Sequence, residues 1–395
     1  MESNETPHRI DAPRRTWLRR AFKRLCYGLY LAVLLELVLQ AFYYVGNRTF
    51  LFRRTAVPIY RMDEHMGFSV KRDLEFHHVT GEFDTFLHTN HEGFRTSSAH
   101  EEYAIPKPAT KFRVMLLGPS FAFGWGVNQE DTFARQLTAK LRDAALAVGR
   151  EVEVINAGVP AVPPANQLQW YERYGRRFAP DMVIQFIYGS MWVNESPATD
   201  SFQVDEQGFL RRSNVSARRK FQEWAKNFAT VYYGWIASTA LRSKSGSLPS
   251  GEVVGAGRAL VQQFQFDPAR EATRRSVRYY DRLKASVADG NARLVVVHFP
   301  LSYVVHRGDM SRWSHLGVRN VEEQVSANEE FCAFLRARSV SCLNLTDALM
   351  KEAERSPERL YYWLDIHWTP KGNRVAAETV ARLLQENSPA KKASD

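Results

Sequence analysis

The sequence predicts an α/β protein, a three-layer α/β/α sandwich around a five-stranded, mainly parallel sheet. Two observations lead to this prediction: five short apolar segments of strand length follow one another along the chain, and amphipathic helical patterns separate them. A third observation, one long apolar segment near the N-terminus, adds a transmembrane helix in front of the sandwich. The 395 residues therefore divide into a membrane segment and one large α/β domain.

The predicted strands are apolar and bounded by glycine, proline or polar residues. They cover Arg113–Leu117, Val152–Ile155, Met182–Ile187, Leu294–Phe299 and Val340–Leu343. The helical patterns cover Thr132–Val148, Gln167–Phe178, Arg270–Ala288, Val321–Arg338 and Arg374–Leu384. Because helices connect the strands, we expect parallel pairing with a helical layer on each face of the sheet.

The N-terminal residues have the composition of a signal anchor. Residues 1–24 form a basic flank with seven Lys or Arg against three Asp or Glu, and residues 25–45 form an apolar segment long enough to cross a bilayer. Basic residues before a first span place the N-terminus in the cytoplasm and export the rest of the chain. Two alternatives are a cleaved signal peptide, for which Phe42–Asn47 is a poor cleavage site, and a soluble amphipathic helix, which would explain Glu36.

The rest of the chain divides into a lead-in, a domain and a tail. Residues 46–110 are predicted to be a juxtamembrane lead-in that packs on the domain, residues 111–386 the domain itself, and residues 387–395 a polar tail. An insertion at about residues 195–269 is too long for a single crossover between the third and fourth strands. Its apolar segment 228–241 is too short to span a bilayer. We interpret this segment as a helix packed on the domain, with an aromatic cap over the site or a helix lying on the membrane as alternatives.

Composition argues against several functional classes. The 45% hydrophobic and 24% charged content is ordinary for a globular protein. Part of the net charge of +10 lies in the basic flank, and the other basic clusters lack the aromatic motifs of nucleic-acid modules. The sequence has no phosphate loop, dinucleotide fingerprint or zinc-ligand pattern, so we expect no nucleic acid, cofactor or metal. Cys332 and Cys342 form either a disulfide or two free core cysteines.

The first predicted strand leads into a turn that carries a serine. Gly118 and Pro119 end the strand, Ser120 follows, and a helical pattern begins after Asp131. A hydroxyl at such a turn is exposed at the rim of the sheet, next to backbone N–H groups that can stabilise an oxyanion. Taken alone, Ser120 is better explained as a helix cap.

A second candidate group lies near the other end of the chain. Asp365 and His367 are two residues apart, just before the last predicted helix. Such a pair can supply a general base and the carboxylate that orients it. With a serine after the first strand, the three residues have the types needed for a nucleophilic triad.

Together these motifs resemble the SGNH (GDSL-type) hydrolase family. The segment His88–Thr96 is similar to the "TN-x-x-GFR" lead-in of membrane-anchored members, and Val154–Gly158 resembles the second block of the family. The resemblance implies a flavodoxin-like fold in which Ser120 is the nucleophile, His367 the base and Asp365 its orienting partner. It also implies that the N–H groups of Ser120 and Gly158 bind the oxyanion.

The chain departs from the family pattern at two places. Pro119 stands where the first block has Asp, so the turn must differ because proline fixes φ and donates no hydrogen bond. In the third block, Ser190 and Met191 replace the usual Asn-Asp, so the side-chain amide expected in the oxyanion hole is missing. Ser190 or Asn194 is the candidate replacement. Loss of one such donor costs about 10²–10³ in rate, so the departure predicts weak or lost activity.

The resemblance implies a single-pass protein of the bacterial inner membrane, with a cytoplasmic N-terminus and a periplasmic or extracytoplasmic catalytic domain. The first expectation is a serine esterase acting on O-acyl groups of envelope or exported carbohydrate or lipid. Two alternatives stay open. One is a polysaccharide O-acetyltransferase, since the Asp-x-His-Trp sequence is closest to the alginate O-acetyltransferase branch. The other is a degenerate domain that binds a glycan or partner protein, against which the intact Ser120, His367 and Asp365 argue.

Overall fold

The computed structural model describes residues 12–386, except for several gaps. The gaps are residues 48–49, 54–56, 147–148, 190–192, 194–201, 214–215, 245–265, 310–320, 364 and 366. The chain divides into two compact units, one formed by Met1–Thr55 with Ser216–Ser238, the other by Ala56–Val215 with Thr239–Asp395. The predicted tail 387–395 lies outside the described residues.

The described residues form eleven strands and eleven α-helices, which we number in chain order. The strands are β1 (Tyr60–Asp63), β2 (Gly67–Val70), β3 (Glu75–Val79), β4 (Asp84–His88), β5 (Lys111–Leu117), β6 (Glu151–Asn156), β7 (Met182–Tyr188), β8 (Phe202–Val204), β9 (Leu210–Arg212), β10 (Arg293–Phe299) and β11 (Ser341–Asn344). The helices are α1 (Ala12–Asn47), α2 (Ser120–Phe123), α3 (Phe133–Leu146), α4 (Pro164–Arg173), α5 (Ala217–Ala225), α6 (Ala229–Lys244), α7 (Glu271–Asp289), α8 (Ser302–Val305), α9 (Val321–Ala337), α10 (Thr346–Arg355) and α11 (Pro370–Glu386).

The larger unit is built on a five-stranded sheet with the order β11-β10-β7-β5-β6. Every pairing in this sheet is parallel. One face carries Met115, Val183 and Val296 and packs on α4, α7 and α9. The other face carries Leu116 and Phe186 and packs on α3, α10 and α11. The predicted three-layer α/β/α fold is confirmed, and all five predicted strands belong to this sheet.

Two helices begin earlier than the sequence pattern predicts, and both begin at a proline. The helix predicted from Gln167 begins at Pro164, and the helix predicted from Arg374 begins at Pro370. Proline suits the first turn of a helix because its φ is already helical and the N–H that it lacks would be unbonded there. The first of these helices also ends early, at Arg173, and a short 3₁₀ turn continues to Phe178.

The predicted lead-in, residues 46–110, contains two antiparallel hairpins, β1–β2 and β3–β4, for which the sequence analysis gave no strands. Apolar side chains from this region, including Phe68, Leu87 and Phe94, join the core on one face of the sheet. The hairpins therefore belong to the same compact unit as the sandwich, a unit that begins at Ala56. The turn between β3 and β4 is the part that concerns the site.

The smaller unit contains α1, whose segment Trp17–Val45 is long and apolar enough to cross a membrane, with a mean hydropathy of 1.9. Most of its apolar side chains are exposed. Part of the predicted insertion, residues 216–238, belongs to this unit and not to the unit that carries the sheet. The apolar segment 228–241 is helical over most of its length, as α6.

Cys332 on α9 and Cys342 on β11 are joined by a disulfide, with their Cα atoms 5.3 Å apart. The structure thus selects the first of the two alternatives left by the sequence. Both side chains are buried, so the bond ties a covering helix to the edge strand inside the core. Cys26 is a free, exposed cysteine on α1.

Candidate active site

Ser120 lies at the carboxyl end of β5, where the strand turns directly into the short helix α2. Gly118 permits this turn, because a Cβ at that position would lie 2.6 Å from the Ala122 Cβ and 2.7 Å from the Phe186 Cβ. Pro119 occupies an extended conformation just before the helix, and its carbonyl accepts hydrogen bonds from the N–H groups of Ala122 and Phe123. The turn therefore needs no donor from residue 119, which explains how it accommodates proline.

Ser120 is the first residue of α2, so its backbone N–H has no partner within the helix. The N-terminal end of a helix also favours negative charge, although a single turn contributes little. The backbone N–H of Ser120 is consequently available at the same edge of the sheet as the serine hydroxyl. This agrees with the predicted oxyanion role of that group.

The structure brings together the three predicted catalytic residues, although Ser120 and His367 are 247 positions apart. The His367 Nε2 atom lies 2.5 Å from Ser120 Oγ, and His367 Nδ1 is hydrogen-bonded to Asp365 Oδ1. The backbone N–H of His367 donates to the same carboxylate oxygen at 2.9 Å. Asp365 therefore fixes the orientation of the imidazole and leaves Nε2 to accept the serine proton.

The electrostatics of Asp365 suit this role. Burial by itself raises the pKa of the carboxyl group, but the neighbouring imidazole and the hydrogen bonds from His367 outweigh burial and hold the pKa below its ordinary value. The carboxylate therefore stays ionised at neutral pH. An ionised partner stabilises the imidazolium that forms when His367 takes a proton.

The segment that carries Asp365 and His367 is attached to distant parts of the unit. The Tyr361 hydroxyl donates to the Pro300 carbonyl at 2.6 Å, and the Tyr362 hydroxyl donates to the Gly126 carbonyl at 2.6 Å. The Tyr362 N–H donates to the carbonyl of His367 at 3.0 Å, which closes the loop on itself. These bonds connect the loop both to the end of β10 and to the segment after the nucleophile.

Glu82 is a site residue that the sequence analysis missed. It lies in the turn between β3 and β4, and its Oε2 accepts a hydrogen bond from the backbone N–H of Asp365 at 2.7 Å. Glu82 thus holds the triad carboxylate in place without touching the reacting atoms. No motif marks it: an acidic residue in a hairpin turn is common, and the contact spans 283 positions.

Two further aromatic side chains pack on the triad histidine. The rings of Phe121 and Trp125 lie 4.8 and 5.9 Å from the His367 ring. His78 lies behind Trp125, with ring centroids 4.8 Å apart, and is buried. Burial lowers the pKa of His78 to about 4, partly offset by Asp365. His78 is thus neutral near neutral pH and adds no positive charge beside the triad.

The "TN-x-x-GFR" motif has a structural role beside the site. Arg95 is buried, and its side chain donates to Gln129 Oε1 and to the carbonyls of Phe86 and Val127. Its guanidinium lies 5.3 Å from the centre of the Phe123 ring, on the helix that begins with the nucleophile. Arg95 therefore links β4 to the segment after Ser120.

The predicted second oxyanion donor is already engaged. The Gly158 N–H donates to Asn156 Oδ1 at 3.1 Å, so it is not the free donor that the sequence resemblance implies. Gly158 is required for another reason: a Cβ there would lie 2.5 Å from the Phe123 nitrogen and 2.8 Å from the Ala122 carbonyl carbon. Gly158 reaches the oxyanion only by sharing its N–H with Asn156 or after Asn156 turns away. Ser190 and Asn194, the candidates for a third donor, lie outside the described residues.

A groove of about 490 Å³ borders the loop that carries Asp365. Aromatic side chains of Phe83, Tyr362 and Trp363 line it, together with the carboxylates of Glu82 and Asp131. Aromatic faces and hydrogen-bond acceptors in one groove are the features that bind the apolar faces and hydroxyls of sugars. Within the described ranges, no group of three or more His, Cys, Asp or Glu is arranged to hold a metal ion.

Residues 260–395 match the family described as "SGNH hydrolase-like domain, acetyltransferase AlgX". The matched region contains Asp365 and His367 but not Ser120. Among curated proteins, no sequence matches the chain.

Similar solved structures include esterases and lipolytic proteins. A G-D-S-L family lipolytic protein from Desulfitobacterium hafniense is 12% identical, with 69% of this chain and 99% of that chain covered and a TM-score of 0.37. The acetyl xylan esterase AlAXEase is 12% identical, with the same coverage and TM-score. A two-domain esterase active on acetylated mannans is 12% identical, with 70% of this chain and 49% of that chain covered and a TM-score of 0.35.

The family match covers the last two strands of the sheet and the loop with the Asp-His pair. It confirms the resemblance predicted from the motifs, and the five-stranded parallel sheet is the fold that this resemblance implies. Residues 260–395 are thus similar to an SGNH hydrolase-like domain.

Proposed function

We propose that this protein is a membrane-anchored serine acyl-transfer enzyme that removes or transfers O-acyl groups of a carbohydrate. The observation that carries the proposal is the continuous contact from Ser120 Oγ through the His367 imidazole to the Asp365 carboxylate. A domain that only binds a glycan has no physical need for this arrangement. The contact therefore favours an enzyme over the degenerate binding domain.

The geometry supports a two-step reaction. The Ser120 oxygen attacks the ester carbonyl while His367 Nε2 takes the hydroxyl proton, and the N–H of Ser120 stabilises the developing oxyanion. Collapse of the tetrahedral intermediate breaks the ester C–O bond, and the departing alcohol receives the proton from His367. In the second step, an acceptor hydroxyl gives its proton to His367 and attacks the acyl-serine carbonyl; the bond to Ser120 Oγ breaks, and this oxygen takes the proton from His367. Water gives an esterase, and a sugar hydroxyl gives a transferase.

Two observations favour a carbohydrate ester as the substrate. The groove beside the Asp365 loop combines aromatic rings with carboxylates, and the matched family is described as an acetyltransferase. That description also makes O-acetyl transfer the second candidate. The esterase and the transferase share the acyl-enzyme step and differ only in the acceptor.

The membrane location rests on the apolar helix at the N-terminus. The segment Trp17–Val45 is preceded by Arg14, Arg15 and other basic residues, a pattern that favours a cytoplasmic N-terminus and an exported domain. The disulfide between Cys332 and Cys342 fits an oxidising compartment. Both features support an inner-membrane protein with its catalytic domain in the periplasm.

The proposal is tested by turnover of p-nitrophenyl acetate and of an acetylated polysaccharide by the purified full chain. We expect slow hydrolysis that Ser120→Ala abolishes and that Asp365→Asn lowers by about 10³–10⁴-fold, because triad residues act as a unit. Acetate release in water identifies an esterase, and acetyl transfer to an added deacetylated polysaccharide identifies a transferase. Equal turnover by the wild type and Ser120→Ala would reject a serine mechanism.

A further inference from the structure

The apolar helix α1 contains a carboxylate, Glu36, that the sequence leaves unexplained. In the structure it accepts hydrogen bonds from the backbone N–H groups of Ala229 (2.6 Å) and Thr230 (3.0 Å) and from the Thr230 hydroxyl (2.9 Å). The Gln40 side chain donates to Glu36 at 2.8 Å and to the Asn227 carbonyl at 2.8 Å. Glu36 therefore caps the first turn of α6.

This contact provides partners both for the carboxylate and for the first N–H groups of α6. A lone carboxylate in an apolar span is unfavourable, and the first N–H groups of a helix have no partner within it. In hydrocarbon neither group finds water, so each must be satisfied by protein. Glu36 lies about 13 Å along α1 from Val45, at 1.5 Å per residue, which places the start of α6 well inside the apolar segment.

Packing around the cap extends the contact toward the end of the span. Tyr43 and Tyr232 meet edge to face with ring centroids 5.9 Å apart, and the rings of Phe42 and Tyr233 lie 6.1 Å apart. Ala229 is fully buried in the same apolar cluster. The polar cap is thus enclosed by apolar and aromatic side chains.

The rest of the α5–α6 segment exposes large apolar side chains. Phe221, Trp224, Phe228, Val231 and Trp235 are 64, 55, 42, 43 and 38% exposed. Two of them lie on α5, Phe228 lies in the turn, and two lie on α6; we call this set the apolar stripe. The rings of Phe221, Trp224 and Phe228 are in consecutive contact. An exposed apolar stripe of this size marks an interaction surface.

Basic side chains accompany this stripe. Arg218 and Lys220 are exposed on α5, and the Lys226 ammonium lies 4.5 Å from the centre of the Trp235 ring. Aromatic residues beside lysine and arginine are typical of helices that lie in the interface of an anionic membrane. The stripe is also continuous with the end of an apolar span, which supplies the membrane.

We propose that α5 and the first half of α6 form a second membrane contact, inserted into the same anionic bilayer as α1 and held at depth by Glu36. The turn at residues 226–228 is the deepest part, and Arg218 and Lys220 on α5 reach the lipid phosphates. The inference rests on the membrane anchoring proposed above. It changes that topology from a single span to a span with an attached helical segment.

The test measures the depth of spin labels in the full chain. Single cysteines at Phe221, Phe228 and Trp235 are placed in a Cys26→Ser background and labelled under non-reducing conditions. The protein is reconstituted into phosphatidylcholine–phosphatidylglycerol vesicles. We expect the label at 228 to be accessible to oxygen and shielded from a water-soluble nickel chelate, with shallower positions at 221 and 235. Lys351→Cys on the exposed face of α10 is the water-exposed control.

The role of Glu36 is tested on the label at 228. Glu36→Ala is expected to raise its accessibility to nickel several-fold, because the N–H groups of α6 lose their acceptor. Glu36→Gln keeps one acceptor oxygen and is expected to have a smaller effect. An unchanged depth in Glu36→Ala would reject the capping role.

Failure of this inference is distinguishable from failure of the anchor. If alkaline carbonate extracts the full chain from membranes, the anchor itself is wrong. If the chain resists carbonate and the label at 228 is as nickel-accessible as the control, only the second contact is rejected. A label shielded from both oxygen and nickel would assign the stripe to a protein partner and would also overturn the proposal.

Discussion

The proposed nucleophile, Ser120, and the proposed base, His367, lie at the same edge of the sheet but are held there in different ways. Ser120 is placed by its immediate neighbours, since Gly118 and Pro119 form the turn and α2 begins at the serine itself. The Asp-His loop depends on residues far away in sequence: Glu82 and Gly126 contact it across 283 and 236 positions. The first half of the site is thus encoded locally and the second by tertiary structure.

The local half should be the more sensitive to a single methyl group. Gly118→Ala places a Cβ within 2.7 Å of two buried atoms. We expect the unfolding free energy to fall by about 1–3 kcal/mol and turnover by roughly 10²-fold, because the shift moves Ser120 away from His367. Urea denaturation in detergent and p-nitrophenyl acetate kinetics measure the two effects.

The matched control is Gly308→Ala, where an added Cβ meets no atom within 4 Å. It should change the unfolding free energy by no more than about 0.5 kcal/mol and leave turnover nearly unchanged. A Gly118→Ala variant that is as active and stable as Gly308→Ala would show that the turn is not constrained as described.

The Asp-His loop should lose less activity when one of its supporting hydrogen bonds is removed. Glu82→Ala removes the acceptor for the Asp365 N–H, so the loop loses one charge-assisted hydrogen bond. With p-nitrophenyl acetate, which has no sugar to fill the groove, we expect kcat to fall by about tenfold, equivalent to about 1.4 kcal/mol, with KM nearly unchanged. Glu82→Gln retains an acceptor oxygen and should recover most of the activity.

Glu75→Ala is the control on the same hairpin, because Glu75 is exposed at the start of β3. It should leave kcat unchanged. If Glu82→Gln is as impaired as Glu82→Ala, the hydrogen bond to Asp365 is not the reason for the effect. If neither variant is impaired, the loop does not need this support.

An effect on stability alone, with no change in the catalytic geometry, is a pH dependence of the unfolding free energy. Burial lowers the pKa of His78 and of His298 to about 4 in the folded protein, against about 6.5 when unfolded. The folded state thus favours the neutral rings, and this contribution is complete above pH 6.5 and lost as the pH falls toward 4. The unfolding free energy changes by at most about 1.4 kcal/mol per pH unit for each histidine.

Removing one histidine tests this sign. His78→Phe should flatten the dependence of the unfolding free energy on pH between 6.5 and 4, as measured by urea denaturation at several pH values. The pKa of Asp365 lies below its ordinary value, so that carboxylate is not protonated until more acidic pH. An unchanged slope in His78→Phe would show that His78 titrates normally in the folded state.

The difference between local and tertiary placement also explains which features could be predicted from the sequence. Five apolar segments, the glycine-proline turn and the Asp-x-His pair are local patterns, and from them followed the parallel sheet and the three residues that the structure brings together. Glu82 and the two N-terminal hairpins were missed, since β3 and β4 mix histidines and carboxylates with few apolar residues. The acceptor of the Gly158 N–H was also missed, because the side-chain direction of Asn156 depends on a hydrogen bond that its amide donates to the carbonyl of Phe123.

The central claim is that Ser120 is a nucleophile activated by His367. The most direct measurement is intact mass analysis of the full chain after reaction with a fluorophosphonate probe, followed by peptide mapping. We predict one adduct per chain on Ser120, none in Ser120→Ala and much slower labelling in His367→Ala. A folded wild-type chain that acquires no adduct, or a Ser120→Ala variant labelled as fast as the wild type, would contradict the account.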